Sequence, residues 1–239
     1  MGGFFCLTCD DGSIAPSNGA IGCDTCAAGK FANQSRTCSN CPSGYYTSRE
    51  KKAECFACPT GWHAIGIVEA LGCRDCPTGF VQQNVSAVVC DSCQPGFVSK
   101  NKAQERCEPC GKGRYAEHFE MNVCPECPAG YKGQNFSLTL CQACNGGQFT
   151  ARSGEQACNN CAAGKRTSTL APTVCGDCPV GQSAGAAQST TCWVCPAGYV
   201  AERPSMVECL ECPAGWLNEI PKNTACKECV AGFACSAAR

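Results

Sequence analysis

Cysteine is the one residue type in this chain that recurs at a spacing able to do chemistry. Fourteen Cys-x-x-Cys pairs run from end to end: Cys6 and Cys9, Cys23 and Cys26, Cys38 and Cys41, Cys55 and Cys58, Cys73 and Cys76, Cys90 and Cys93, Cys107 and Cys110, Cys124 and Cys127, Cys141 and Cys144, Cys158 and Cys161, Cys175 and Cys178, Cys192 and Cys195, Cys209 and Cys212, and Cys226 and Cys229. Cys235 is the twenty-ninth cysteine. Three chemistries use such pairs. A zinc ion held by four thiolates needs two pairs across a spacer, and Cys-x2-Cys-x13-Cys-x2-Cys comes close to that spacing. A redox-active pair opens a helix within a βαβ unit. Structural disulfides need only an oxidising compartment. The chain shows no βαβ pattern, carries a formal charge of −1 and has only two histidines, His63 and His118, both expected in solvent. Zinc arrays that grip phosphate are basic, so a zinc-binding array is a minor alternative. Structural disulfides fit best.

These cysteines must be positioned by a repeat, because the first cysteines of successive pairs recur every 17 residues from Cys73 onward and every 15 to 18 before it. A fixed short period marks an array of like units. Counting the first cysteine of each unit as position 1, position 7 is always glycine, from Gly12 to Gly232. Such a position calls for a positive φ or a close backbone approach. Seven units place proline after the second cysteine, at Pro42, Pro59, Pro77, Pro128, Pro179, Pro196 and Pro213, which fixes φ where a turn begins. Eleven units place an aromatic one or two residues after the glycine; those starting at Cys6, Cys158 and Cys175 do not. The pattern Cys-x-x-Cys-Pro-x-Gly-aromatic predicts a tight turn with one ring packed on the adjoining sulfurs.

Composition says what holds such units together. Cysteine is about 12% of the 239 residues, above the level that flags a disulfide scaffold. Leu, Ile, Val and Phe together are 35 residues, under 15%, below what a conventional core requires. Crosslinks must therefore replace burial. The variable part of each unit is polar, with no sustained helical period. Weak alternation in Val81–Val85 and Phe136–Leu140 suggests short strands. The fold class expected is small disulfide-rich repeats: a solenoid-like elongated rod of about 14 units of ~17 residues, with short β-strands and turns, little or no helix and no conventional hydrophobic core. In such a rod each unit touches only its neighbours. In order, residues 1–5 are a lead-in that reads as the end of a preceding unit. Residues 6–72 are four repeats with irregular spacing, 73–225 are nine regular 17-residue repeats, and 226–239 are a terminal partial repeat.

The spacing leaves the pairing open. In a ladder, the second cysteine of one unit bonds the first of the next, as in Cys127–Cys141. In a crossed scheme, neighbouring units pair like with like, as in Cys73–Cys90 and Cys76–Cys93. Phased from Cys6, the crossed scheme puts both irregular steps, 15 and 18, between bonded pairs, which favours it slightly. In either scheme a loop of roughly 15 residues is worth about 3 kcal/mol.

The tandem motif Cys-x-x-Cys-Pro-x-Gly-Tyr/Phe, with a further cysteine about a dozen residues on, resembles the ephrin-receptor-like cysteine-rich repeat. That repeat is related to the growth-factor-receptor and tumour-necrosis-factor-receptor modules. The resemblance extends from 6 to 235. It implies secretion, crossed disulfides like those of epidermal-growth-factor modules, and a place in long extracellular or cell-surface proteins, including surface and filament proteins of protists.

Two functions are compatible with these features. One is an extracellular structural protein, a filament subunit or spacer that associates with copies of itself or with other extracellular structural proteins. The other is a receptor-type ectodomain that binds a protein ligand through its irregular N-terminal repeats. A binding loop departs from its neighbours, and the apolar stretch with Trp62, His63, Ile65, Ile67 and Val68 is the candidate. Asn33, Asn84 and Asn135 open Asn-x-Ser triplets, spaced 51 residues apart, and are candidate glycan acceptors. No catalytic motif, cofactor, metal, nucleic-acid partner or membrane span is expected. The chain is expected to be secreted, its signal removed or lying in a longer chain.

Overall fold

The computed structural model describes residues 7–32 and 36–231. They belong to two units of backbone, one comprising 1–110 with 116–124, the other 111–115 with 125–239. Both are built from the same repeated hairpin, and no helix occurs among the described residues. Positions 8 and 9 of one repeat pair antiparallel with positions 2 and 3 of the next, as Tyr131 with Ala143 and Lys132 with Gln142. Twelve two-stranded sheets follow this plan, and Arg114 with Glu126 makes a single bridge where a thirteenth would lie. The longest strands, Trp62–Ala64 and Cys73–Asp75, have three residues; the rest have two.

Strands this short cannot stand alone, and a covalent bond closes each hairpin. Thirteen disulfides run from Cys9–Cys23 and Cys26–Cys38 through Cys127–Cys141 to Cys212–Cys226. Each joins the second cysteine of one repeat to the first of the next, so the pairing is the ladder. The crossed pairing that the irregular steps favour, and that the resemblance implies, is not formed: Cys76 bonds Cys90, and Cys73 bonds Cys58. The physical reason lies in the hairpin. Antiparallel pairing brings the first cysteine of the next repeat back beside the second cysteine of the repeat before it, at Cα–Cα distances of 5.5 to 5.8 Å. The irregular steps are taken up inside hairpin loops, where Cys26–Cys38 spans 12 residues and Cys58–Cys73 spans 15. Cys229 is also disulfide-bonded. Cys6 and Cys235 lie outside the described residues. With these sulfurs bonded to one another, the thiolates of a zinc array are absent from the described repeats.

Backbone hydrogen bonds tie each repeat to the next. The glycine N–H donates to the position-10 carbonyl one repeat on, as Gly130 to Thr150 at 3.0 Å. The second cysteine's N–H donates back to the preceding glycine's carbonyl, as Cys144 to Gly130 at 2.8 Å. The position-14 N–H donates to the second cysteine's carbonyl one repeat earlier, as Ala171 to Cys144 at 3.0 Å.

Contacts also reach the next repeat but one, beyond the nearest-neighbour scheme expected of a simple solenoid. Gly44 has φ +84°, and a Cβ built on it would lie 1.8 Å from the carbonyl oxygen of Ser86. The same approach recurs at Gly130, where the oxygen belongs to Ala171, 41 residues on, at 2.2 Å. Position 14 is itself left-handed, and nine residues other than glycine hold it, from Lys51 to Lys222, with Glu69 taking the same conformation one place later in the longer loop. L-residues avoid that region; the hydrogen bond to the cysteine carbonyl and the fit against the glycine hold them there.

The interior is a row of small clusters. Second cysteines such as Cys26, Cys41, Cys58 and Cys127 are fully buried, together with a small position-10 residue such as Ala32, Thr47, Ala116 or Thr150. Two of these residues satisfy backbone donors directly: Thr47 Oγ1 accepts from Gly29 N–H at 2.8 Å and Thr150 Oγ1 from Gly130 N–H at 2.7 Å. No buried side-chain nitrogen or oxygen among the described residues lacks a hydrogen-bond partner. No described helix is long and apolar enough to cross a membrane.

Candidate functional site

In several repeats the position-9 side chain lies on the disulfide that closes the next hairpin, whereas Arg166 at the same position is exposed. Val98 packs with Cys110 and Cys124, and Tyr46 packs on the cluster around Cys58 and Cys73. Ser183 Oγ is 3.3 Å from Cys209 Sγ, within the Cys195–Cys209 bond. The expected ring on sulfur is therefore met at Tyr46, while at Val98 an aliphatic side chain fills the same slot. Where rings sit at position 8 instead, the structure leaves some of them open to solvent, Trp216 among them.

In the repeat starting at Cys55 the slot holds His63. Its Nδ1 is 3.2 Å from Cys90 Sγ. A disulfide sulfur has no hydrogen to give, so Nδ1–H donates. His63 is thus half-buried against the Cys76–Cys90 bond, which corrects the expectation that it sits in solvent. His118 does lie in solvent, its side chain 77% exposed.

The stretch following His63 is anchored on one side and open on the other. Ile65 N–H donates to Gly72 O at 3.0 Å, closing a loop of the hairpin. Thr47 N–H donates to Ala70 O at 3.2 Å, and the carbonyl of Glu69 rests against Gly29. Lys30 Nζ reaches Glu69 Oε1 at 3.3 Å. With its backbone held in this way, the loop presents Ile65, Ile67, Val68 and Leu71 outward, 50 to 75% exposed. Trp62 is half-buried and packs on the Cys58 and Ala64 cluster. The five residues singled out from sequence therefore divide. Ile65, Ile67 and Val68, joined by Leu71, form an exposed apolar patch, whereas Trp62 and His63 turn to the disulfides.

Asn84 and Asn135 are exposed, each two residues before a left-handed serine, Ser86 or Ser137. Asn33 lies outside the described residues. The buried small residue at position 10 is a feature the sequence reading passed over. Its signal was present in the recurrence of Ala, Thr, Ser and Gly three places after the constant glycine.

Residues 29–70 match the family model described as tyrosine-protein kinase ephrin type A/B receptor-like. A comparison with curated proteins returns no match. The matched segment runs from Gly29 past Glu69, the pair whose backbones touch, so it holds one complete return of the chain onto itself. The same disulfide spacing continues on either side of it. The chain is a tandem array of cysteine-rich repeats similar to the ephrin-receptor-like kind, and disulfides in this number belong to an oxidising, extracellular setting.

Proposed function

We propose that this chain is an extracellular structural protein, secreted and glycosylated, that serves as a filament subunit or spacer by associating with copies of itself or with other extracellular structural proteins. One observation carries this reading. The backbone hydrogen bonds, the disulfides and small buried residues recur from repeat to repeat, while larger side chains such as Tyr46 and Val98 and exposed ion pairs such as Lys30 with Glu69 join repeats only locally. Much of the outward side-chain surface can therefore vary to suit partners without loss of the recurring scaffold. Such a division suits a protein whose surface is used along its whole length. The proposal assigns the chain no catalysis. Negative-stain microscopy of native material tests it: continuous polymers or lateral bundles are the expected result, and isolated single chains at all concentrations would contradict it.

A second reading rests on the patch of Ile65, Ile67, Val68 and Leu71. A rigidly held loop with four exposed apolar side chains suits a receptor-type ectodomain that docks one protein ligand. Replacing Ile67 and Val68 by serine separates the two readings, since it leaves polymers intact if the structural reading holds and abolishes ligand capture if the receptor reading does.

A further inference from the structure

The position-9 slot singles out one disulfide among the described residues. In the other repeats whose slot contacts are described, the group on the bond is Tyr46, Val98 or Ser183, none of which binds a metal ion at neutral pH as imidazole does. At Cys76–Cys90 it is the imidazole of His63. The donor atoms of His63, Cys76 and Cys90 all lie within 4.8 Å of one another. We propose that Cys76, Cys90 and His63 form a redox-gated zinc site, closed while the disulfide is intact and able to take one zinc ion once it is reduced.

The geometry is close to what zinc requires. With Zn–N near 2.1 Å and Zn–S near 2.3 Å, a tetrahedral N···S edge is about 3.6 Å and an S···S edge about 3.8 Å. Nδ1 already stands 3.2 Å from Cys90 Sγ. Reduction has only to let the two sulfurs part, and the hairpin between Trp62–Ala64 and Cys73–Asp75 still fixes where His63 sits. Three protein ligands leave a fourth position for water, as in open zinc sites. Cys76 is fully buried and Cys90 is partly exposed, so a nucleophile reaches Cys90 first.

The reaction balances with a dithiol as reductant. Its thiolate attacks Cys90 Sγ, the bond to Cys76 breaks and Cys76 leaves as thiolate. The second thiol of the reductant then displaces Cys90 and closes a cyclic disulfide. Two electrons and two protons have passed to the protein pair. Zinc binding releases those two protons, while the imidazole stays neutral with its proton moved from Nδ1 to Nε2.

The full chain tests the proposal. It is treated with one equivalent of a water-soluble phosphine, which reduces disulfides without holding zinc, in the presence of zinc ions, then desalted and alkylated. The expected result is about one zinc for each chain in which the Cys76–Cys90 bond has been opened and none at other opened pairs, with Cys76 and Cys90 shielded from alkylation until a chelator is added. His63→Val, which places in the slot the side chain that Val98 already supplies, should retain at least tenfold less zinc. Val98→His should create a second zinc site at Cys110 and Cys124. Zinc held equally by His63→Val, or spread over other cysteine pairs, or absent from the reduced parent chain, would overturn the proposal. Circular dichroism of the unreduced variants, unchanged from the parent, excludes misfolding as the cause of any loss.

Discussion

The carbonyl oxygen of Ser86 lies 1.8 Å from the point where a Cβ on Gly44 would stand, with two disulfide-closed hairpin junctions between them along the chain. Gly44 is therefore constrained twice, by its positive φ and by a neighbouring backbone that has no room to move. Gly44→Ala is expected to cost about 1–2 kcal/mol for the left-handed conformation and about 1–3 kcal/mol more for overlap. Gly72→Ala, where φ is not positive and nothing lies within 4 Å, should change stability by less than about 0.5 kcal/mol. Denaturant unfolding of the oxidised proteins distinguishes the two; equal effects would show that the contact between repeats does not hold.

Ser86 and its counterparts make the opposite prediction. Ala171 occupies the left-handed region at φ 53°, and its equivalent one repeat earlier is Gly154. Ala171→Gly relieves strain of about 1–2 kcal/mol and adds back about 0.4–1 kcal/mol of unfolded-chain entropy. A net gain is expected, read as a higher denaturant midpoint. A loss would mean that the alanine methyl contributes packing that outweighs the strain.

Acid should loosen side chains and leave the fold intact. Glu108 accepts a hydrogen bond from Lys100 Nζ at 3.0 Å, and that bond together with the ammonium's charge holds its carboxyl below the ordinary glutamate range. A carboxylate whose folded value is depressed adds stability above its unfolded value and loses it as pH falls through the folded one. Both groups are exposed, so the contribution is small. Carboxyl chemical shifts followed by NMR should show Glu108 titrating below its ordinary range, and Lys100→Ala should move it up. Far-ultraviolet dichroism should stay unchanged through the same titration, because the disulfides do not titrate.

Asn84 and Asn135 are expected to carry N-linked glycans in secreted material. Each stands exposed at the same point of its repeat, and the serine that completes each triplet is fixed in the left-handed position. The Ser86 amide is bound to the Cys58 carbonyl at 2.8 Å. Glycopeptide mapping should find both asparagines occupied; bare asparagines in native secreted protein would contradict the assignment.

The constant glycines, the cysteine period and the deficit of large apolar residues made the repeat and its reliance on disulfides legible from sequence. The partner of each cysteine was not legible, because ladder and crossed pairings satisfy the same spacing; only the hairpin between Tyr131 and Ala143 decides between them. The contact of Gly44 with Ser86 was hidden because its second member can be Ser, Glu, Ala, Lys or Gln, chosen for backbone shape and not for side-chain type. His63 looked like one more polar residue of an apolar loop until position 9 was seen to rest on the following disulfide. Its neighbours Ile65, Ile67 and Val68 were recognisable as a departure from the pattern because the loop there is longer by one residue.

The ladder is the feature on which the rest depends, and peptide mapping of the unreduced chain tests it most directly. Digestion between the cysteines of each pair, followed by mass spectrometry, should yield Cys127 linked to Cys141 and Cys144 linked to Cys158. Recovery of Cys141 linked to Cys158 and Cys144 linked to Cys161, the crossed pairing, would contradict it, and with it the hairpin, the position-9 slot and the site at His63.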